Sequence, residues 1–208
     1  MIATPQTFSL LELPAGATLT LPMSWSEFEQ ILRERGNRSL PRLKYSHGVV
    51  IAKMPGLQHG QLDQLINHLI EQLFIQTDRD YAASSPVTLK LPQQSGLEPD
   101  HCYWVRDWEV ISGKTQIDLT VDPIPDIAVE VDISSYSDPS DYLPLQVPEV
   151  WIIKNNQLVV YALTDAGYTA VPQSQFFESD VTATFERAAT LIQQGMSLFR
   201  AVKQAIQS

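Results

Sequence analysis

The chain has 208 residues, of which 44% are hydrophobic and 18% charged, a composition typical of folded globular proteins rather than of disordered chains. Its single cysteine, Cys102, excludes an internal disulfide framework and any multi-cysteine metal site. No apolar run approaches the ~18 residues needed to span a bilayer, and the N-terminus lacks the pattern of a secretory signal. We therefore expect a cytoplasmic protein without a membrane partner.

The formal net charge of −10 is concentrated in one part of the chain. Residues 96–150 contain 12 acidic and 2 basic residues, whereas the remaining residues carry 12 of each sign. The net negative charge of the whole chain argues against a protein that coats nucleic acid nonspecifically, because phosphate contacts come from Lys and Arg. The acidic segment is compatible with a metal site, which needs clustered carboxylates, and equally with a solvated acidic face.

The N-terminal part divides into an arm and the start of a domain. Residues 1–22 mix apolar residues with prolines and are predicted to contain at most one short strand, so a single domain is expected over 23–208. Ser24 and Glu27 have the spacing of a capping box, and apolar residues at helical spacing follow until Gly36. The sequence therefore predicts a helix between Ser24 and Gly36.

Strands and helices then alternate. Residues 40–54 predict a hairpin that turns around "SHG", and residues 59–76 predict an amphipathic helix. The further predicted strands cover 79–83, 86–91, 98–105, 126–133, 149–154, 157–163 and 167–171. Residues 106–117 are predicted to be irregular or briefly helical, 134–146 to be a loop with or without a short helix, and 183–206 to form one or two helices broken at Gly195. This order predicts an α/β fold with a central mixed β-sheet flanked by helices.

Two acids in apolar strand segments are the strongest indication of chemistry. Glu130 lies between Val129 and Val131 in "PDIAVEVD", and Asp100 ends "GLEPD" near a strand end. A carboxylate on a covered strand costs several kcal/mol unless it is paired or bound to a metal. Two acids on adjacent strands can share one divalent cation, which then activates a water to attack a phosphodiester. The alternative is that these acids are hydrated strand-end residues or cap turns.

The Pro-Asp followed by an acid on the next strand resembles the PD-(D/E)xK nucleases. A longer resemblance is to the Uma-two family (DUF820), a group of bacterial proteins described as restriction endonucleases. It rests on five segments in sequence order: "SWSEFEQIL", "RLKYSHGVVIAKMPGLQH", "GLEPDHCYWV", "DLTVDPIPDIAVEVDI" and "VPEVWII". The resemblance implies a restriction-endonuclease-like fold, with an N-terminal helix and hairpin beside the central sheet, a cation such as Mg²⁺ or Mn²⁺, and DNA as substrate.

Carried over position by position, Asp100 matches the motif aspartate and Glu130 the motif acid. Asp132 stands where the motif has lysine, and it could add a third metal ligand but cannot supply positive charge to the phosphate. Lys90 on the preceding strand and Lys114 in the insertion could compensate, or they are solvated surface lysines.

Two further residues are accessory candidates. His59 matches a histidine that opens the long helix in the family, where it could ligate or hydrogen-bond a phosphate, or it is an ordinary polar residue at a helix start. Asp126 lies four residues before Glu130 on the same side of the strand and could support the metal ligands or begin the strand.

The resemblance therefore implies a metal-dependent DNA endonuclease, with Asp100, Glu130 and Asp132 as metal ligands. A homodimer is expected because cutting both strands needs two sites. The alternative is a catalytically inactive nuclease-fold protein that acts as a binding or interaction module. The aspartate at the lysine position, and Lys44 and His47 where many family hairpins carry a glutamate, favour this alternative.

Overall fold

The computed structural model describes residues 13–36, 38–133 and 137–207, which form two β-sheets and their covering helices. The strands are β1 Thr18–Pro22, β2 Arg42–Ser46, β3 Val49–Lys53, β4 Ala82–Ser84, β5 Leu89–Leu91, β6 Ser95–Leu97, β7 His101–Trp104, β8 Ile127–Asp132, β9 Glu149–Lys154, β10 Gln157–Thr164 and β11 Gly167–Val171. The helices are α1 Trp25–Arg35, α2 Leu57–Gln76, α3 Trp108–Ile111, α4 Val181–Gln193 and α5 Leu198–Gln207, with a 3-10 helix at Pro139–Leu145.

The first sheet is antiparallel, with strand order β1-β3-β2-β6-β5. Its β2–β3 hairpin turns at His47 and Gly48, whose φ angles are 51° and 78°. Two positive φ angles are typical of the tight turn whose twist matches that of the flanking strands. This turn fixes the register and sets Arg42 opposite Lys53.

The second sheet is mixed, with strand order β11-β10-β9-β8-β7-β4. Strands β8 and β9 are parallel, and the other neighbours are antiparallel. The β9–β10 hairpin turns at Asn155 and Asn156, which have the positive φ angles that asparagine tolerates.

Alternation along β8 decides which face of the second sheet each residue covers. Ile127, Val129 and Val131 enter a core formed with α2, α4 and α5, whereas Ala128 enters a core formed with the first sheet and the 3-10 helix. Since side chains on a strand alternate, Glu130 shares the side of Ala128 and faces the first sheet. A third core, around Phe28 of α1, covers the other face of the first sheet.

Most predicted elements are confirmed. Ser24 caps α1 with the capping box that its spacing predicted, and Gly36 ends that helix. The long helix begins at Leu57, two residues before its predicted start, and the C-terminal helices are separated around Gly195 as expected. The mixed α/β class is confirmed, and none of the helices in the described ranges is long and apolar enough to cross a membrane.

The differences lie between α2 and β8. Strand β6 lies between the strands predicted over 86–91 and 98–105, where no strand was predicted, and the strand predicted over 98–105 begins only at His101. The predicted N-terminal hairpin is confirmed and belongs to the first sheet, beside the mixed one. In the predicted arm, β1 pairs with β3, whereas residues 1–12 lie outside the described part of the chain.

Candidate functional site

Asp100 lies just before strand β7 and next to the part of strand β8 that contains Glu130. In the antiparallel β7–β8 pair His101 stands opposite Val129. Asp100 contacts the residues on both sides of Glu130, because its N–H donates to the Val129 carbonyl at 3.0 Å and its Oδ2 accepts from the Val131 N–H at 2.8 Å. The charge of Asp100 also acts on Glu130, so the two carboxylates are neighbours, as two ligands of one cation must be.

Asp100 is held rigidly where strand β7 begins. Its side chain is buried, and Oδ2 accepts hydrogen bonds from the Val131 N–H at 2.8 Å and from His59 Nε2 at 3.1 Å. Burial acts to raise the pKa of Asp100, but the hydrogen bond and charge of His59, the Val131 N–H and the charge of Lys53 together hold that pKa below its ordinary value. Asp100 is therefore ionised at neutral pH.

Glu130 is half-buried and titrates near neutral pH. Its Oε1 accepts a hydrogen bond from the Tyr142 hydroxyl at 2.5 Å. Desolvation and then the negative charge of Asp100 raise the pKa of Glu130 to about 7, against the opposing influence of Lys53, Tyr142 and Lys44. The pair thus carries more negative charge than its surroundings neutralise.

Basic side chains of the β2–β3 hairpin face these acids. Arg42, Lys44 and Lys53 line a cavity of about 50 Å³ together with Glu130 and Ser137. Lys53 Nζ donates to the Val131 carbonyl at 2.7 Å, Arg42 Nε lies 3.7 Å from Asp100 Oδ1, and Lys44 pairs with Asp141. Glu98 also lines this cavity, whereas Asp100 lies beside it, next to Arg42. The cavity is large enough for a few water molecules.

The donor set fits a hard divalent cation held by two carboxylates. Among residues 13–36, 38–133 and 137–207, no three His, Cys, Asp or Glu side chains are grouped to hold a metal ion. Mg²⁺ is commonly bound through one or two carboxylates, with water and substrate phosphate completing its shell. Burial and then the charge of Asp100 raise the pKa of Glu130, and a cation beside the two carboxylates would counter both effects.

Of the other predicted residues, the structure brings His59 into the site through its contact with Asp100. Asp132 is fully buried, and its Oδ2 accepts a hydrogen bond from the Ser137 N–H at 2.9 Å. Asp126 accepts from the Val105 and Arg106 backbone N–H groups at 2.7 and 2.8 Å and pairs with the Arg106 side chain. It lies roughly 13 Å along β8 from Glu130, at about 3.3 Å per residue.

The two predicted lysines face a different cavity. Lys90 and Lys114 line a larger cavity of about 760 Å³ beside Trp108, and neither lines the small cavity at Glu130. Lys114 Nζ is 2.5 Å from Asp122 Oδ1. Their part in the chemistry remains a prediction.

Sequence reasoning missed Arg42, Lys53 and Tyr142 as neighbours of the acids. A signal for the first two was available, because a two-residue turn at His47 and Gly48 sets Arg42 opposite Lys53. Tyr142 could not be found in this way, since its contact with Glu130 depends on the path of the loop that follows β8.

Comparison with known proteins agrees with the sequence resemblance. Residues 25–191 match a family model, Uma2, described as "Putative restriction endonuclease". A solved structure from Anabaena variabilis ATCC 29413, titled a "putative nuclease belonging to DUF820", matches with a TM-score of 0.51 and 14% identity over 88% of this chain and 99% of that one, which shows a common fold. No curated protein matches the chain. Because the family model covers most of its length, the chain belongs to the Uma2 family.

Proposed function

We propose that this protein is a divalent-metal-dependent endonuclease that hydrolyses phosphodiester bonds in DNA. The observation that carries the proposal is the neighbouring pair of Asp100 and Glu130, of which Asp100 is ionised and Glu130 titrates near pH 7 and lines a cavity together with basic side chains. Acids paired in this way without a ligand are costly, and a cation between them removes that cost. Membership of the Uma2 family supports DNA as the substrate.

The residues around the pair position its oxygens. The Val131 N–H and His59 both bind Asp100 Oδ2, and Tyr142 binds Glu130 Oε1. Asp100 Oδ1 accepts none of these hydrogen bonds and has Arg42 Nε at 3.7 Å, so it is the oxygen that a cation would bind. A divalent cation bound there would lower the pKa of a water and polarise a phosphate oxygen. In the hydrolysis, the water oxygen bonds to phosphorus and one P–O bond breaks. The departing oxygen keeps that electron pair and gains a proton, matching the proton that the water loses.

The test is divalent-dependent nicking of supercoiled plasmid. With Mg²⁺ or Mn²⁺ we expect the wild-type chain to nick plasmid, and Asp100→Asn and Glu130→Gln to reduce the rate by about 100-fold or more, because each removes a ligand charge. Glu109→Gln, at an exposed acid on α3, is the matched control and should leave the rate unchanged. Equal nicking by the wild type and Glu130→Gln would contradict the proposal.

The alternative, an inactive nuclease-fold binding module, is favoured by one observation. The position of the motif lysine holds Asp132, which is buried and hydrogen-bonded to a backbone N–H. This alternative predicts DNA binding without any divalent-dependent cleavage.

The homodimer that double-strand cutting requires is tested by size-exclusion chromatography with light scattering in the same buffers.

A further inference from the structure

Three basic side chains share one face of the β2–β3 hairpin. Arg42 and Lys44 are two residues apart on β2 and so share a face, and Lys53 is the cross-strand partner of Arg42 on that same face. The alternate residues Leu43 and Ala52 are buried against α1. The hairpin therefore packs its apolar side against the core around Phe28, and its basic side chains face the second sheet.

These cations reach the acids where β7 no longer pairs with β8. The Val131 N–H donates to Asp100 Oδ2, and the Val131 carbonyl accepts from Lys53 Nζ. These two side chains make the hydrogen bonds that a neighbouring strand would otherwise make. Lys53 thus lies against the residue between Glu130 and Asp132. The charge of Lys53 also acts to lower the pKa of Asp100 and of Glu130.

Arg42 has donors with no acceptor. Its Nε and Nη1 atoms are buried, and neither has a hydrogen-bond partner among the described residues. Nε lies 3.7 Å from Asp100 Oδ1, an ion-pair distance that is too long for a hydrogen bond. Buried guanidinium donors are normally satisfied, so an unpaired pair of them beside a cavity indicates a place for an anionic acceptor.

We propose that Arg42 and Lys53 bind the scissile phosphate of DNA, and that Lys53 supplies the positive charge that Asp132 cannot. The proposal rests on the function proposed above and assigns its phosphate-binding residues. Lys53 has three N–H donors, of which one binds the Val131 carbonyl. The others and the Arg42 donors would neutralise charge on the phosphate oxygens as the water attacks.

The test compares DNA binding with metal binding. A labelled duplex of mixed sequence, in Ca²⁺ to prevent cleavage, is titrated with protein over a range of salt concentrations. Lys53→Met and Arg42→Met should each weaken binding and reduce the slope of log K against log[salt] by about 0.9, because each removes one phosphate contact. Lys53→Arg should restore the slope. Lys203→Met, at an exposed lysine on α5, should not change it.

Mn²⁺ affinity, measured by calorimetry, separates this role from a structural one. Removing Lys53 removes a repulsive charge beside Asp100 and Glu130, so Lys53→Met should bind Mn²⁺ at least as tightly as the wild type. If Lys53 only supports the Val131 carbonyl, DNA and Mn²⁺ affinity should fall together, which would overturn the proposal. Unchanged DNA binding by Lys53→Met, or no DNA binding by the wild type at low salt, would also overturn it.

A different result would contradict the proposed function alone. If the wild-type chain binds DNA through Arg42 and Lys53 but does not nick plasmid, the endonuclease proposal is wrong. The phosphate site would stand, as part of a binding protein with a nuclease fold.

Discussion

Glu130 lies on an interior strand of a covered sheet, and its protonation changes near neutral pH. In the folded state its pKa is about 7, compared with 4.5 for an unperturbed glutamate. The folded chain therefore binds this proton more tightly than the unfolded chain does. The stability that this difference contributes is complete below pH 4.5 and is lost as the pH rises through about 7. Asp100 does not contribute in this window, since its lowered pKa keeps it ionised in both states.

This behaviour predicts a pH-dependent effect of Glu130→Gln in metal-free buffer with EDTA. Glutamine resembles the protonated acid, so the variant should match the wild type near pH 5 and be more stable at pH 8 by about 2–3 kcal/mol. Urea unfolding at the two pH values measures the difference. Glu109→Gln should show no such change. A difference between wild type and Glu130→Gln that is the same at both pH values would contradict the raised pKa.

At the scale of elements, the first sheet and α1 depend on a close approach at Gly96 on β6. A Cβ atom there would lie 2.4 Å from Phe28 Cε1 and 2.7 Å from Phe28 Cζ. The Phe28 ring cannot easily move, because it is fully buried and packs against the rings of Trp25 and Tyr45. A residue without a side chain is therefore needed where β6 crosses under α1.

Gly96→Ala should destabilise the chain by about 1–3 kcal/mol, because it overpacks this core. Urea unfolding measures the change. Gly60→Ala is the matched control, since the site on α2 has open space and alanine favours a helix by up to about 1 kcal/mol. Adding Phe28→Leu should recover part of the stability lost in Gly96→Ala. If Gly96→Ala is as stable as the wild type, the close contact is not a constraint.

The same elements explain what the sequence could and could not predict. Helix α1, the β2–β3 turn and β8 follow from local signals, which are caps, turn residues and apolar patterning. Strand β6 has three residues, which form a short hairpin with β5 and pair with Tyr45 about 50 positions earlier, and three residues are too few for an alternating pattern to indicate a strand. The position of Lys53 against Val131 is likewise set by packing between the two sheets, over 78 positions. Asp100 and Glu130 could be named as candidates because they lie in the apolar segments that carry the motif.

At the scale of the whole molecule, the acidic segment is neither one metal site nor one solvated face. Six of its 12 acids are buried: Glu98, Asp100, Asp122, Asp126, Asp132 and Glu149. Several of them join distant parts of the chain. Glu98 binds Arg35 and the Leu43 N–H, and Glu149 accepts from Trp151, Ser174 and Gln175. Much of the charge concentrated in residues 96–150 thus holds the fold together.

This distribution allows specific cation binding to be separated from screening of the net charge. A ligand that binds only the folded state stabilises it by RT ln(1 + [L]/Kd), about 2.7 kcal/mol at 100 times Kd. For a chain of this size we expect saturating Mn²⁺ to raise the Tm by roughly 5–10 °C. Screening acts on the whole acidic surface, so it should raise the Tm of every variant alike, whereas a cation between Asp100 and Glu130 needs both carboxylates.

Thermal unfolding with and without Mn²⁺ distinguishes specific binding from screening. It is measured for Asp100→Asn, Glu130→Gln and the exposed-acid control Glu109→Gln. We expect the control to keep the full shift and the two site variants to keep only the small part due to screening, which K⁺ at equal ionic strength should reproduce. Because the readout is stability, it detects the cation whether or not the chain cuts DNA. Equal shifts in all three variants would assign Mn²⁺ to the diffuse acidic surface and remove the metal from the proposed site.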